Sequence, residues 1–355
     1  MKILYLVNTL DISSGWGRFS LELIERFIQR GIDATIFSEK GSSYRNEKVV
    51  LKRSIKALSS IPYVRSCIKK EKFDIIHSFE VNPYGIIANL ANTGLKTKEI
   101  ITATGAYSVR PLHRTSTRFL TKRAYRQADA VLCISKYIED EINEQVNLSN
   151  TSVITLGVDQ SKFVGERFIP DRPFILSVGN YSPRKGYEVS IPAFAKIAAC
   201  FPEVIYYIAG KFEESTLLHF KKMIEGYHLS GRIVFLGSVG DEKLRSLYSS
   251  AELFILTSVN IDHHFEGFGL VFLEAAAAGL PVIGTLNNGI ADAMLDGKNG
   301  FLVKQFDIGA TAGAIASILQ NRNLQSDFSH QSKKWAAQNT WDSVVDKYLQ
   351  VYNQV

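Results

Sequence analysis

No stretch of this sequence approaches the roughly 18 apolar residues that a membrane-spanning helix needs, so any contact with a bilayer is expected to be peripheral. Cysteine is scarce, and Cys67, Cys133 and Cys200 stand apart, without the close pair that would suggest a metal site or a redox motif. A reducing compartment is the simplest setting. Low-complexity tracts and internal collagen-like or disordered composition are also absent: hydrophobic residues make up 46% and charged residues 21%, as in an ordinary globular protein. The opening MKILYLVNTL has one lysine and then only Ile3–Val7 as an apolar run, too short for the core of a secretory signal and better read as a buried strand. A cytoplasmic protein is expected, peripheral at the inner membrane face if it meets a membrane.

The net charge of +6 is unevenly shared. Residues 1–170 hold 25 Lys plus Arg against 17 Asp plus Glu, a balance of +8; the remainder holds 16 against 18, a balance of −2. The basic excess gathers in KVVLKRSIKALSSIPYVRSCIKKEK (48–72) and RPLHRTSTRFLTKRAYR (110–126), where cations mix with aliphatic and aromatic side chains. That mixture suits an anionic membrane surface or a phosphorylated lipid, and equally a helix with a solvated basic face. No nucleic-acid motif accompanies it, and nucleic acid is not expected as a partner.

At 355 residues, two domains are expected. Short apolar runs alternate with helical patterns, the signature of parallel sheets covered by helices. Strands are predicted near 2–8, 33–38, 73–78, 99–104, 129–134 and 152–156, with helices between them; RPFILSVGN (172–180) restarts the scheme, with further strands near 203–209, 231–236, 252–257 and 280–284. Both halves open with a strand, a glycine-bearing loop and a helix. The expected fold class is therefore α/β, with two doubly wound Rossmann-like domains, 1–168 (joined by a closing helix, 338–355) and 169–337. GERFIPDRP (165–173) reads as the linker. Ligands of such folds sit at the carboxyl ends of the strands, so a ligand between the domains is expected. In the closing helix, Trp341, Val344, Val345 and Leu349 are spaced for one apolar face.

Two stretches carry chemistry. HHFEGFGLVFLEAAAAGLPVIG (263–284) puts Glu266 and Glu274 around a Gly-Phe-Gly turn leading into a helix predicted over 267–279. Glycines at 267 and 269 permit close backbone approach, and the first-turn amides favour a phosphate. Two ionised glutamates would repel that phosphate, so sugar hydroxyls suit them better; an all-helical path would separate them by about 12 Å. The alternative is an acid that only complements the helix dipole and another that is solvated. The second stretch, VGNYSPRKGYE, places Arg184 and Lys185 in the loop after a strand, where cations could neutralise a leaving diphosphate or merely decorate an exposed turn.

With SGWGRFSLELIERFIQRG (14–31), FDIIHS (73–78), RQADAVLCIS (126–135), VITLGVDQSKF (153–163), FILSVGNYSPRKG (174–186), VIYYIAG (204–210), IVFLGSVGDEKLRSLYSSAELFILTS (233–258) and EGFGLVFLEAAAAGLPVIG (266–284), the chain resembles the retaining glycosyltransferases of family 4, which have the two-domain GT-B fold. The resemblance runs nearly end to end. It implies transfer of a sugar from a nucleoside diphosphate sugar, UDP- or GDP-linked, to a saccharide or lipid-linked saccharide in cell-envelope glycan synthesis, with retention and without metal or other cofactor. The sequence also has no Asp-any-Asp motif of the kind metal-dependent glycosyltransferases use.

Carried over by residue, the resemblance implies that Glu266, Lys185 and Arg184 do the catalytic work, Glu266 on the donor sugar and the cations on the diphosphate. It places Gly15, Gly17, Asn180, Gly210, Ser238, Val239, Gly267, Phe268, Gly269, Leu270 and Glu274 at the donor, with Glu274 on the ribose and the backbone at 238 and 239 near the base. Thr104, Tyr107 and His113 fall at the acceptor. Three positions depart from the family pattern: Asn180 replaces an arginine, Thr104 replaces the histidine of a Thr-any-His-Gly motif, and Asn288 replaces a glycine. His113 offers an imidazole nearby, and His263 and His264 read as loop residues without metal-ligand spacing. A nucleotide-sugar 2-epimerase, or a catalytically silent nucleotide-binding protein of the same fold, are the alternatives.

Overall fold

The computed structural model describes residues 1–12, 14–44, 46–163 and 171–355. The chain divides into two compact units, one of Met1–Thr155 with Trp341–Val355, the other of Leu156–Thr340. Most of the expected linker, 165–170, lies outside the described residues; the division falls earlier in the chain, after Thr155.

The first unit carries β1 (Lys2–Val7), β2 (Asp33–Ser38), β3 (Glu47–Val49), β4 (Ile75–Phe79), β5 (Lys98–Ala103), β6 (Ala130–Cys133) and β7 (Thr151–Val153). They form one sheet of order β3-β2-β1-β4-β5-β6-β7, parallel throughout. β1 and β4 are buried along nearly their whole length because helices cover both faces, and β1 is correspondingly apolar after Lys2. The strand order reverses between β1 and β4, which makes this the switch point of the sheet, the place at whose carboxyl ends ligands of such folds bind. The closing helix, Trp341–Gln354, packs on the helix Gly15–Gln29: Phe27 meets Tyr352 at 5.3 Å and Tyr348 at 5.8 Å between ring centres, and Arg30 pairs with Asp346 at 2.5 Å. Its buried face is Trp341, Val344, Val345, Tyr348 and Tyr352, with Leu349 only half-buried at the margin.

Inside that contact, His77 is fully buried between the Tyr352 hydroxyl at 2.6 Å and Thr102 Oγ1 at 2.7 Å. Burial alone pushes its imidazole down to about 3, so it is neutral in the folded protein near pH 7.

The second unit contains β8 (Phe174–Val178), β9 (Ile205–Ala209), β10 (Ile233–Gly237), β11 (Leu253–Ile255), β12 (Val282–Thr285) and β13 (Gly300–Val303), again parallel, in the order β10-β9-β8-β11-β12-β13. Its switch point lies between β8 and β11. The loops leaving these two strands are the Pro-Arg-Lys turn and the segment that ends in Glu266.

The strand–helix alternation foretold the order of the elements but missed β3, a three-residue polar edge strand, and β13. It also missed the helix Ala106–His113, whose internal Pro111 argues against a helix. The helix predicted over 267–279 begins only at Leu270, because Gly269 adopts a left-handed conformation (φ 83°) as its N-cap. The 12 Å helical path between the glutamates therefore does not apply.

Candidate active site

In the second unit, Arg184 and Lys185 belong to a short turn, Pro183–Lys185, closed by Gly186 at φ 68°. A Cβ on Gly186 would lie 1.8 Å from the Thr257 carbonyl oxygen, so only glycine lets the turn settle against the loop after β11. Two hydrogen bonds hold it there: Thr257 Oγ1 donates to the Gly186 carbonyl at 2.7 Å, and the Val259 amide donates to the Arg184 carbonyl at 2.8 Å. From that loop Glu266 returns its carboxylate to the turn. One oxygen, Oε2, accepts from Lys185 Nζ at 2.6 Å, Arg184 Nη1 at 2.7 Å and Ser258 Oγ at 3.3 Å.

All three charged groups are largely covered, with Lys185 and Glu266 side chains each 12% exposed. Burial alone would raise the Glu266 carboxyl, but the charges of Lys185 and Arg184 and their hydrogen bonds prevail, holding it at about 2. Burial pushes the Lys185 ammonium below its ordinary value against the pull of Glu266. The cluster therefore holds two cations and one carboxylate, a net positive charge in a covered place.

Gly267, Phe268 and Gly269 precede the helix Leu270–Ala277. A Cβ on Gly289 would lie 1.9 Å from the Gly267 carbonyl oxygen, and the Gly289 amide donates to the Glu266 carbonyl at 2.9 Å, so this second glycine fixes the course of the turn. The Phe268 ring is buried in the core, leaving only its backbone for a ligand. By geometry the Leu270 amide has no partner within the helix, whereas the Phe272 amide already donates to the Gly269 carbonyl at 2.9 Å. Glu274 lies on the helix, where its Oε2 accepts from the hydroxyl of buried Tyr248 at 3.0 Å.

The remaining residues expected at the donor occupy strand ends in the same sheet. Asn180 follows β8, and its Oδ1 accepts from the Lys211 amide at 2.8 Å, bracing the neighbouring loop. Gly210 follows β9; a Cβ there would lie 2.2 Å from the Gly179 carbonyl oxygen, so this glycine serves loop packing. Ser238, exposed, and Val239, half-buried, follow β10 at the sheet's edge. Asn288 is a buried cap: Oδ1 accepts from the Ile290 amide at 3.0 Å and Nδ2 donates to Thr285 Oγ1 at 3.0 Å. His263 is exposed on the loop ahead of Glu266, and the His264 amide donates to the Ile261 carbonyl at 2.7 Å.

In the first unit, Gly15 and Gly17 start the helix Gly15–Gln29, capped by Ser14, whose hydroxyl accepts from the Gly17 amide at 3.0 Å. Gly15 has open space around its Cα, whereas a Cβ on Gly17 would lie 1.9 Å from the Asp11 carbonyl oxygen. Tyr107 is 44% exposed, with Trp16 edge-on at 6.1 Å and the Arg53 guanidinium 5.6 Å from its ring centre. His113 ends the helix Ala106–His113 and is exposed. Thr104 is buried, and its hydroxyl donates to Glu80, which the sequence reading overlooked. The overlooked signal was an acid placed directly after a strand, in HSFEVNP.

The cationic turn, the paired carboxylate and the glycine-opened helix start together suit a polyanion carrying a polyol. Residues 13–162 match the family described as Glycosyltransferase Family 4, and residues 159–335 match Glycosyl transferases group 1. The chain belongs to the GT-B glycosyltransferases of family 4. A glycosyltransferase of Methanocaldococcus jannaschii, itself uncharacterized, is 25% identical to this one over 332 residues, covering 90% of this chain and 89% of its own. The lipopolysaccharide core biosynthesis glycosyltransferase LpsE of Rhizobium meliloti is 25% identical over 360 residues, covering 95% of each chain. Among solved structures, HepE of Anabaena in complex with UDP-glucose superposes with a TM-score of 0.82 at 18% identity, over 100% of both chains. The α/β architecture of this glycosyltransferase is thus that of the GT-B fold.

Proposed function

We propose that this glycosyltransferase moves a sugar from a nucleoside diphosphate sugar, UDP- or GDP-linked, to a saccharide or lipid-linked saccharide, with retention at the anomeric carbon and without a metal ion. The observation that carries the reading is the sharing of one Glu266 oxygen by Lys185 and Arg184 beside the Gly267–Gly269 turn. The Glu266 carboxylate offsets only part of the charge of the two cations, so the cluster stays net positive. An entering diphosphate takes over that role, its oxygens on Lys185, Arg184 and the amides around Gly267, Phe268, Gly269 and Leu270, which releases Glu266 to hold sugar hydroxyls. Glu274 holds the ribose.

As the bond from sugar to phosphate breaks, negative charge grows on the diphosphate, and preorganised cations and amides lower the barrier by a few kcal/mol per group. The departing phosphate oxygen accepts the proton of the acceptor hydroxyl on the same face of the sugar, so no side-chain base is required. The UDP-glucose complex of HepE and the envelope role in the name of LpsE support the donor class and the glycan setting.

The test is incubation with a panel of UDP-, GDP- and ADP-sugars in the presence of EDTA, following nucleotide release and the anomeric configuration of the product by NMR. Release with one donor and a retained configuration is expected. Binding without turnover, 2-epimer formation, an inverted product or abolition by EDTA each overturns the part of the reading it touches.

An anionic membrane as the acceptor's location rests on the helix Thr115–Gln127. It bears Arg118, Lys122, Arg123 and Arg126 and no acid, and Phe119 in their midst is 77% exposed. Slight burial and then the unrelieved charges of Arg118 and Arg126 push the Lys122 ammonium down. A phenylalanine ringed by cations suits the headgroup boundary of an anionic bilayer.

A further inference from the structure

Glu80 is an unusual residue to find at the carboxyl end of a strand. It follows β4 at the switch point of the first unit, is 4% exposed, and holds a backbone φ of 99°, in the region that side-chain-bearing residues rarely adopt. Its amide donates to the Thr102 carbonyl at 2.9 Å, which ties it to β5. Its carboxyl bridges two hydroxyls, with Thr104 Oγ1 donating to Oε1 and Ser108 Oγ donating to Oε2. Ser108 Oγ in turn accepts from the Thr104 amide at 3.2 Å, closing a ring of three hydrogen bonds around the start of the helix Ala106–His113. Tyr125 supports the ring by donating its hydroxyl to the Ser108 carbonyl at 2.9 Å.

The ring can exist in two forms. A carboxylate only accepts, so both hydroxyl protons are committed to it and Thr104 Oγ1 offers a neighbour lone pairs alone. A protonated carboxyl donates to one hydroxyl oxygen, and the proton of that hydroxyl becomes available to a neighbour. Burial raises Glu80, its bonds to Ser108 and Thr104 and the Arg53 charge oppose, and the balance stands at about 7. The charged and titratable groups facing it are Arg53, from the segment after β3, and the phenol of Tyr125, from the helix Thr115–Gln127. Arg53 is itself held by Glu39 at 2.5 Å and by the Tyr84 hydroxyl at 3.3 Å. Such tuning next to a strand end is a mark of functional groups.

We infer that Glu80 is a positioning residue that acts through Thr104: its ionisation decides whether the Thr104 hydroxyl accepts from, or donates to, the hydroxyl of the acceptor saccharide or of the water that replaces it. The inference rests on the sugar-transfer reading for its ligand, and on the ring of hydrogen bonds for its mechanism. Tyr107, three residues past Thr104 on the same turn, shares the geometry the ring maintains, and its exposed ring with Trp16 is a surface on which a sugar face can lie.

Two measurements on the full chain test it, with Glu80→Gln, Glu80→Asp and Thr104→Val. Infrared titration is expected to show a buried carboxylic-acid carbonyl band that disappears near neutral pH, is lost in Glu80→Gln and moves in Thr104→Val. The pH profile of nucleotide release from the donor that turns over is expected to show an inflection between about pH 6 and 8. Glu80→Gln and Thr104→Val should both remove it and Glu80→Asp should shift it, while circular dichroism shows all three folded as the parent is. If Glu80 titrates in the ordinary carboxylate range, or Thr104→Val keeps the inflection, the inference is overturned. Should no sugar nucleotide turn over, the transfer reading fails separately, and the infrared band alone decides: unmoved by Thr104→Val, it refutes the coupling; moved, it supports it.

Discussion

Lys185 Nζ lies 2.6 Å from Glu266 Oε2, and Arg184 Nη1 lies 2.7 Å from the same atom, so one carboxylate oxygen is shared by both cations that the proposed mechanism turns toward a diphosphate. Competition between an internal and an incoming anion for one pair of cations has consequences of opposite sign for binding and for turnover.

Replacing Glu266 with Gln removes the internal competitor. Free UDP or GDP is expected to bind several-fold more tightly to Glu266→Gln in calorimetry, while transfer falls roughly a hundred- to a thousand-fold. Lys185→Ala is expected to weaken both. If Glu266→Gln weakens nucleotide binding as much as Lys185→Ala does, the exchange of countercharge is wrong.

Removing one partner from a covered cluster leaves the others uncompensated, and Lys185→Ala should leave Glu266 with Arg184 alone. A loss of up to about 3 kcal/mol in the empty protein is expected by urea denaturation. The Glu266 carboxyl is held below its unfolded value, so its contribution to stability is present above the unfolded pKa and is lost as pH falls through about 2. Nucleotide release between pH 5 and pH 8 should therefore show no inflection that depends on Glu266.

His77 behaves differently. Its folded pKa of about 3 is depressed below the ordinary imidazole value of 6.5, so the neutral ring stabilises the fold fully above pH 6.5, and that stability is lost as pH falls toward 3. The loss approaches about 4 to 5 kcal/mol at the acid end of the window by linkage. Denaturation curves measured from pH 7 down to pH 4 should steepen in this manner, and His77→Gln should flatten them at the cost of lower stability at pH 7. An unchanged slope in His77→Gln would remove the assignment.

Gly186→Ala puts a methyl group against the Thr257 carbonyl at 1.8 Å, at a φ of 68°. Displacing the Pro-Arg-Lys turn should cost roughly 2 to 4 kcal/mol of stability and most of the turnover. Gly15→Ala, with open space around it, should be close to neutral for stability; a large loss there would contradict the local geometry.

For the basic helix, sedimentation with phosphatidylglycerol–phosphatidylcholine vesicles at low salt should bring the protein down, and Phe119→Ala or Arg118→Glu with Lys122→Glu should leave it in the supernatant. Binding that survives the double charge reversal would place the contact elsewhere.

Much of this was legible in one dimension because its causes are local. Strand and helix order follow from apolar runs and glycine punctuation, and parallel sheets buried on both faces write themselves as near-continuous hydrophobic segments such as ILYLV and FILSV. Glu266, Lys185 and Arg184 could be singled out because they stand beside glycines at strand ends and fall on the pattern of the family the chain resembles. Their partnership was not legible: 81 residues separate Lys185 from Glu266, and only the return of two loops to the switch point between β8 and β11 makes them share an oxygen. Nor could the sequence show that Gly210, Gly289 and Asn288 serve loop packing and capping, since that depends on which carbonyl each faces.

Glu80 is the sharpest case. In the sequence it is one acid among 35 Asp and Glu, with nothing periodic about it. The amino-acid order placed one strand near 73–78, just before it, and the next near 99–104, with Thr104 at its end and Ser108 beyond. Only the pairing of β4 with β5 brought the three together, and only burial at that edge changed what the carboxyl does, because desolvation is a property of a place in the folded chain and not of a residue type.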